Sequence, residues 1–163
     1  MISGPLSRGL FLGEEMRLYV MSVDCDELMT SNNEASLTEK KGEGLKEILS
    51  CYHMDKVYSS SHIRAKKRAE IAVPYLKAEI WHELDGDEKD SIRERVWAFM
   101  KEMESEDPDV FIAVFTHSYP LFEMVSYIGN KCADETSFSP AVSALMLFDY
   151  RYGKWRIEDP FSY

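Results

Sequence analysis

The run Val110-Phe111-Ile112-Ala113-Val114-Phe115-Thr116 limits what this chain can become more than any other stretch. Every side chain before the threonine is apolar, so neither face of the segment can be left in water. A strand buried on both faces needs a layer packed above and below its sheet, the situation of parallel strands covered by helices. A second run, Arg17-Leu18-Tyr19-Val20-Met21-Ser22-Val23, is rich in strand formers and breaks off into the acidic Asp24-Cys25-Asp26-Glu27. In open α/β sheets ligands bind beyond the carboxyl ends of the strands, so chemistry is expected on the loops that follow these runs. One loop opens with Asp24, Cys25 and Asp26, the other with His117-Ser118-Tyr119-Pro120.

The rest of the chain supplies the covering layers. After a polar loop at Thr30 to Ala35, a helical pattern opens at Thr38 and puts Leu45, Ile48, Leu49 and Tyr52 on one face. Gly42 and Gly44 weaken its first turns by about 1 kcal/mol each against alanine. Asp55 to Ser59 reads as a short strand, and the hydroxyl-rich turn Ser59-Ser60-Ser61 as the cap of a helix carrying Ala65, Ala69, Ala72 and Val73. Ile80 to Gly86 is a short third strand or extended loop, and Asp87 to Glu106 an amphipathic helix with Ile92, Val96, Phe99, Met100 and Met103 as its stripe. A helix from Leu121 to Ile128 should stop at Gly129-Asn130. Ala141 to Phe148 and Lys154 to Ile157 are spaced as a closing hairpin. This alternation predicts a three-layer α/β/α sandwich around a mainly parallel sheet.

A length of 163 residues suits one domain. Residues 1–15, with Gly4-Pro5, Gly9 and Gly13 around Leu10-Phe11-Leu12, read as an N-terminal arm, and residues 16–163 as the domain; Met16 could itself be a start. An ordered arm would need a surface for its apolar centre, such as a neighbouring subunit in a homodimer. The net charge of -10 argues against a nucleic-acid-binding face. No apolar run approaches the roughly 18 residues of a membrane span, and no signal-peptide pattern opens the chain, so a cytoplasmic location is expected. Cys25, Cys51 and Cys132 have no CxxC spacing and read as reduced thiols, without a structural metal site.

The order of the pieces resembles the histidine phosphatase superfamily, the phosphoglycerate-mutase-like proteins, from about Arg17 to Ile157. Leu37-Thr38-Glu39 is similar to the family's LTE-x-G segment, with Lys41 where glycine is usual. Ser60 through Ala69 resembles S-P-L-x-R-A-x-x-T-A with Arg64-Ala65 in place, and His82-Glu83-Leu84-Asp85 resembles the loop that carries the acid. Val114-Phe115-Thr116-His117-Ser118 resembles the V-x-x-H-G strand, and Ala141 to Ile157 the closing hairpin with its tryptophan. In that family the first strand ends in Arg-His-Gly. The histidine takes the phosphoryl group while two arginines and a second histidine hold its oxygens.

Here the resemblance puts Ser22 at the arginine, Val23 at the nucleophile and Asp24 at the glycine. It leaves Arg64, His117 and Ser22 as the phosphate-binding set, and His117 and Glu83 as vestiges of the catalytic one. The expectation is a catalytically impaired member with a binding or regulatory role. Its partner would be a small phosphorylated ligand or a protein, and it would use no cofactor. Arg64 is equally a cap for local carboxylates such as Asp24, Glu83 is more often a solvated loop acid than a proton donor, and His62 and His82 read as surface residues. The alternative is a phosphatase with another nucleophile. Cys25 is one candidate, if neighbouring cations lower its pKa. Asp24 is the other, because Asp24-x-Asp26 after an apolar run resembles the first motif of the Mg²⁺-dependent haloacid-dehalogenase phosphatases, with Asp87 and Asp90 as further acids.

Overall fold

The structure, a computed structural model, describes residues 15–23, 34–86, 91–107, 109–131 and 145–158. The first strand, β1 (Glu15–Ser22), is followed by α1 (Glu34–Leu49), β2 (Lys56–Ser59), α2 (Ile63–Ala72) and a two-residue β3 (Glu79–Ile80). A 3-10 turn at His82–Leu84 leads towards α3 (Ile92–Met103). The chain then forms β4 (Phe111–Thr116), α4 (Ser118–Lys131), β5 (Leu145–Arg151) and β6 (Lys154–Glu158). The six strands lie in the order β3-β2-β4-β1-β5-β6. The pairs β1–β4, β2–β4 and β2–β3 are parallel, and the closing β5–β6 hairpin adds antiparallel to β1.

The two long apolar runs became the two central neighbours, buried along their whole length. Side chains alternate across a strand, and here the alternation divides two cores. Leu18, Val20, Ile112 and Val114 face α3 and α4, whereas Tyr19, Met21, Phe111, Ala113 and Phe115 face α1 and α2. Leu45 and Leu49 of α1 and Ala65, Ala69 and Ala72 of α2 fill the second core, as their helical spacing predicts. Glu104, just after α3, accepts from Tyr127 Oη and Trp155 Nε1, each at 2.8 Å, and ties α4 and β6 to the first core.

Several element ends differ from expectation. α1 starts at Glu34, inside the stretch read as a polar loop. Gly42 does more than weaken it: a Cβ there would lie 2.7 Å from Ile71 Cγ2, so the missing side chain lets α1 and α2 approach closely. α4 begins at Ser118 rather than Leu121 and runs through Gly129 to Lys131. Pro120 is tolerated because first-turn amides have no partner within the helix, and Leu121 N closes that turn on His117 O at 3.0 Å. In the segment Ile80 to Gly86 the strand is brief: Ile80 ends β3, and His82–Leu84 form the 3-10 turn. The arm before Glu15 lies outside the described residues. No helix among them is long and apolar enough to cross a membrane.

Candidate functional site

The site forms where β1, β2 and β4 end side by side. Ser22 pairs with Thr116, and one residue further Val23 and His117 leave their neighbouring strands together. Both are buried, and Val23 lies completely within the apolar cluster under α1 and α2. The adjacent strand β2 pairs Ser59 with Phe115 and delivers Ser60 to the same place. Ser60 Oγ lies 2.8 Å from His117 Nε2 and accepts from His62 N at 3.3 Å. Whichever of the two partners donates, Nε2 of His117 is engaged by this hydroxyl.

The cap of α2 is His62, not one of the serines. Its backbone is extended and its Nδ1 accepts from Arg64 N at 3.1 Å. A ring nitrogen that accepts holds no proton, so the neutral ring carries its proton on Nε2 and can donate there. The His62 ring stands edge-on to that of His117, centroids 5.5 Å apart. An imidazole read from sequence as a surface residue is thus exposed on one side and faces the site on the other. Arg64, half-buried, follows in the first turn of α2, where helix amides and a guanidinium both favour an anion.

The loop carrying Glu83 is fixed from two sides. Thr116 Oγ1 donates to Leu84 O at 2.7 Å. Asp85 accepts from Ser61 N and Oγ at 2.7 and 2.9 Å and meets His82 Nδ1 at 3.2 Å. Burial alone would raise the Asp85 pKa, but the Ser61 amide and hydroxyl and the His82 ring outweigh it, and the carboxyl ionises below its ordinary value. Gly86 passes so close to the site that a Cβ there would sit 3.0 Å from both Cβ and Cγ of His117. Glu83 itself is half-buried in the 3-10 turn and has no hydrogen-bond or ion-pair partner among the described residues.

The structure therefore puts Ser22, Val23 and His117 of the expected set at neighbouring strand ends, starts α2 with Arg64 two residues after His62, and seats Glu83 on the loop tied to Thr116. It adds His62, Ser60 and Asp85, which lie inside segments that carry the family resemblance but were not singled out as site residues, and Gly86, which follows the second such segment. Asp24, Cys25, Asp26, Asp87 and Asp90 lie outside the described residues. Cys51 is an exposed thiol.

This arrangement of strands and helices matches solved structures. A phosphoglycerate mutase from Plasmodium falciparum matches with a TM-score of 0.64 at 16% identity, over 90% of each chain. The fold is that of the phosphoglycerate mutases. Mycobacterial glucosyl-3-phosphoglycerate phosphatase in complex with VO3 shares the phosphoglycerate-mutase-like fold at TM-score 0.61 and 10% identity, over 90% of this chain and 98% of that one. So does a histidine-to-alanine mutant of phosphoserine phosphatase from Entamoeba histolytica in complex with phosphoserine, at TM-score 0.60 and 11% identity, over 89% and 95%. No protein-family model and no curated protein matches the sequence.

Proposed function

We propose that this chain is a histidine-phosphatase-like protein whose site holds a phosphate-type anion without transferring it, so that it serves as a binding or regulatory protein. The observation that supports this reading is Val23, which follows the Ser22–Thr116 pair at the end of β1 and is fully buried in the apolar core. In the superfamily it resembles, that position belongs to the histidine that accepts the phosphoryl group. An isopropyl group has no lone pair to offer. In a hydrolase with a covalent nucleophile, removing that residue costs on the order of a millionfold in turnover.

His62 does not fill the gap as a nucleophile. Its Nδ1 lone pair accepts from the Arg64 amide, and its Nε2 bears the proton, so the ring is set to donate and not to attack. The missing first-strand arginine, replaced by Ser22, lowers affinity by one charge-assisted pair, roughly 1.5–3 kcal/mol. Arg64, His62, His117 and the start of α2 remain to hold an anion. A related fold provides a parallel: a phosphoserine phosphatase mutant lacking one histidine is in complex with phosphoserine.

The test pairs turnover with binding. Para-nitrophenyl phosphate hydrolysis by wild type and His117→Ala, with and without Mg²⁺, should stay at the buffer rate. Inorganic phosphate, followed by phosphorus NMR, should bind and should bind at least about tenfold more weakly to Arg64→Ala. Metal-independent turnover that disappears in His117→Ala would refute the reading. Mg²⁺-dependent turnover abolished by Asp24→Asn would replace it with the aspartyl mechanism.

A further inference from the structure

Three consecutive residues after β2 each tie the site to a different element. Ser60 meets His117 Nε2, Ser61 donates to Asp85, and His62 caps α2 through Arg64 N. The middle tie uses both donors of the serine. Asp85 Oδ1 accepts from Ser61 N at 2.7 Å and from Ser61 Oγ at 2.9 Å, and Oδ2 lies 2.9 Å from the same hydroxyl. In the S-P-L-x-R-A segment that this stretch resembles, a proline stands at the place of Ser61. Proline has neither an N–H nor a hydroxyl and could make none of these bonds.

The loop that offers the carboxylate is itself anchored. Arg95 of α3 donates to Asp85 O at 2.9 Å, and Thr116 at the end of β4 holds the preceding Leu84 O at 2.7 Å. α3 and α2 cover opposite faces of the sheet. The loop therefore crosses the strand ends, from α3 and β4 on one side to the start of α2 on the other. We propose that Asp85 is a positioning residue of the anion site: by holding Ser61 it keeps His62 beside His117, with Arg64 two residues further along. This rests on the anion-binding reading above and adds what holds that site in shape.

Charge and placement predict opposite signs for substitution. As a bare negative charge near an anion, Asp85 would oppose binding, and both Asp85→Asn and Asp85→Ala would tighten it. As a positioning residue, its loss in Asp85→Ala should weaken inorganic phosphate, followed by phosphorus NMR, by about tenfold, within the range for coupled members of one hydrogen-bonded network. Asp85→Asn keeps an oxygen for Ser61 N and should lose less. Ser61→Ala removes only the hydroxyl and should act in the same direction as Asp85→Ala. In the Arg64→Ala background Asp85→Ala should cost clearly less, because one of the groups it places is gone. An equal cost in both backgrounds assigns the loss to general loosening and overturns the proposal, as does unchanged or tighter binding in Asp85→Ala.

Proton NMR gives a second readout that needs no ligand. The chain has four histidines, and the rings of His62 and His117 stand edge-on with centroids 5.5 Å apart. Asp85→Ala should shift the imidazole C–H resonances of both and leave those of His53, stacked on Tyr75, in place. Unmoved His62 and His117 resonances overturn the proposal. If wild type binds no phosphate, the anion reading falls, and these resonances alone decide whether Asp85 places the start of α2.

Discussion

Ser60 and Gly86 fix His117 from opposite directions, one by a hydrogen bond at 2.8 Å and the other by leaving room for its ring. Ser60→Ala removes the partner of a ring nitrogen on a histidine that is only 5% exposed. An unmade hydrogen bond on a buried polar group costs about 1–3 kcal/mol, and urea unfolding should show a loss of that size. Gly86→Ala should cost about as much by overpacking, and should also weaken phosphate binding, since the imidazole must shift to accept the new methyl group. Full stability with unchanged phosphate affinity in both variants would mean that His117 is held by other contacts. His117 was legible in the sequence because it stands just past an apolar strand, and Arg64 because it stands at the start of a helix behind a run of hydroxyls. Ser60, His62 and Gly86 were not, because their roles come from a partner far along the chain. Ser60 meets His117 across 57 residues.

At the scale of elements, two glycines in one helix make opposite predictions. Both Gly42 and Gly44 read in sequence as weak points of α1, worth about 1 kcal/mol each against alanine. Around Gly44 nothing lies within 4 Å of where an added methyl group would sit, so Gly44→Ala should raise stability by about 0.5–1 kcal/mol. A methyl group at Gly42 would meet Ile71 Cγ2 at 2.7 Å and Cβ at 2.8 Å, so Gly42→Ala should destabilise even though it improves helix propensity. Ile71→Ala in the Gly42→Ala background should recover part of the loss, and a double-mutant cycle by urea unfolding measures that coupling. Strictly additive effects would rule out a tight contact between α1 and α2 at this point. The strands were legible because burial on both faces and alternation are written in local sequence. The helix starts were less so. α4 begins directly after His117 because a proline can occupy a first turn, and α1 reaches back to Glu34, four residues before the expected Thr38.

Over the whole molecule, charge is distributed against the usual trend of acid sensitivity. Glu15 of β1, Asp149 of β5 and Glu158 of β6 bring carboxylate oxygens within 4.8 Å of one another, and Glu15 and Asp149 are buried. Arg17 pairs with Glu15 at 3.2 Å, and Arg156 reaches Asp149 at 3.3 Å from a side chain that is 55% exposed. Water screens that second pair, so burial, followed by Glu15 and Glu158, prevails and pushes Asp149 up to about 8 from an ordinary 3.8. Between those two values the folded protein keeps a proton that the unfolded chain releases. The resulting stabilisation is complete below the unfolded value and is lost as pH rises through about 8. Urea midpoints of wild type should therefore fall between about pH 6 and about pH 9. Asp149→Asn keeps the shape and presents an amide donor at every pH, so its midpoints should fall less over the same interval. General repulsion from the net charge of -10 acts on both proteins alike, which makes the difference between the two slopes the quantity to read. Equal slopes would assign the titration to groups outside this cluster, and a steeper slope in Asp149→Asn would mean that the aspartate is ionised in the folded state.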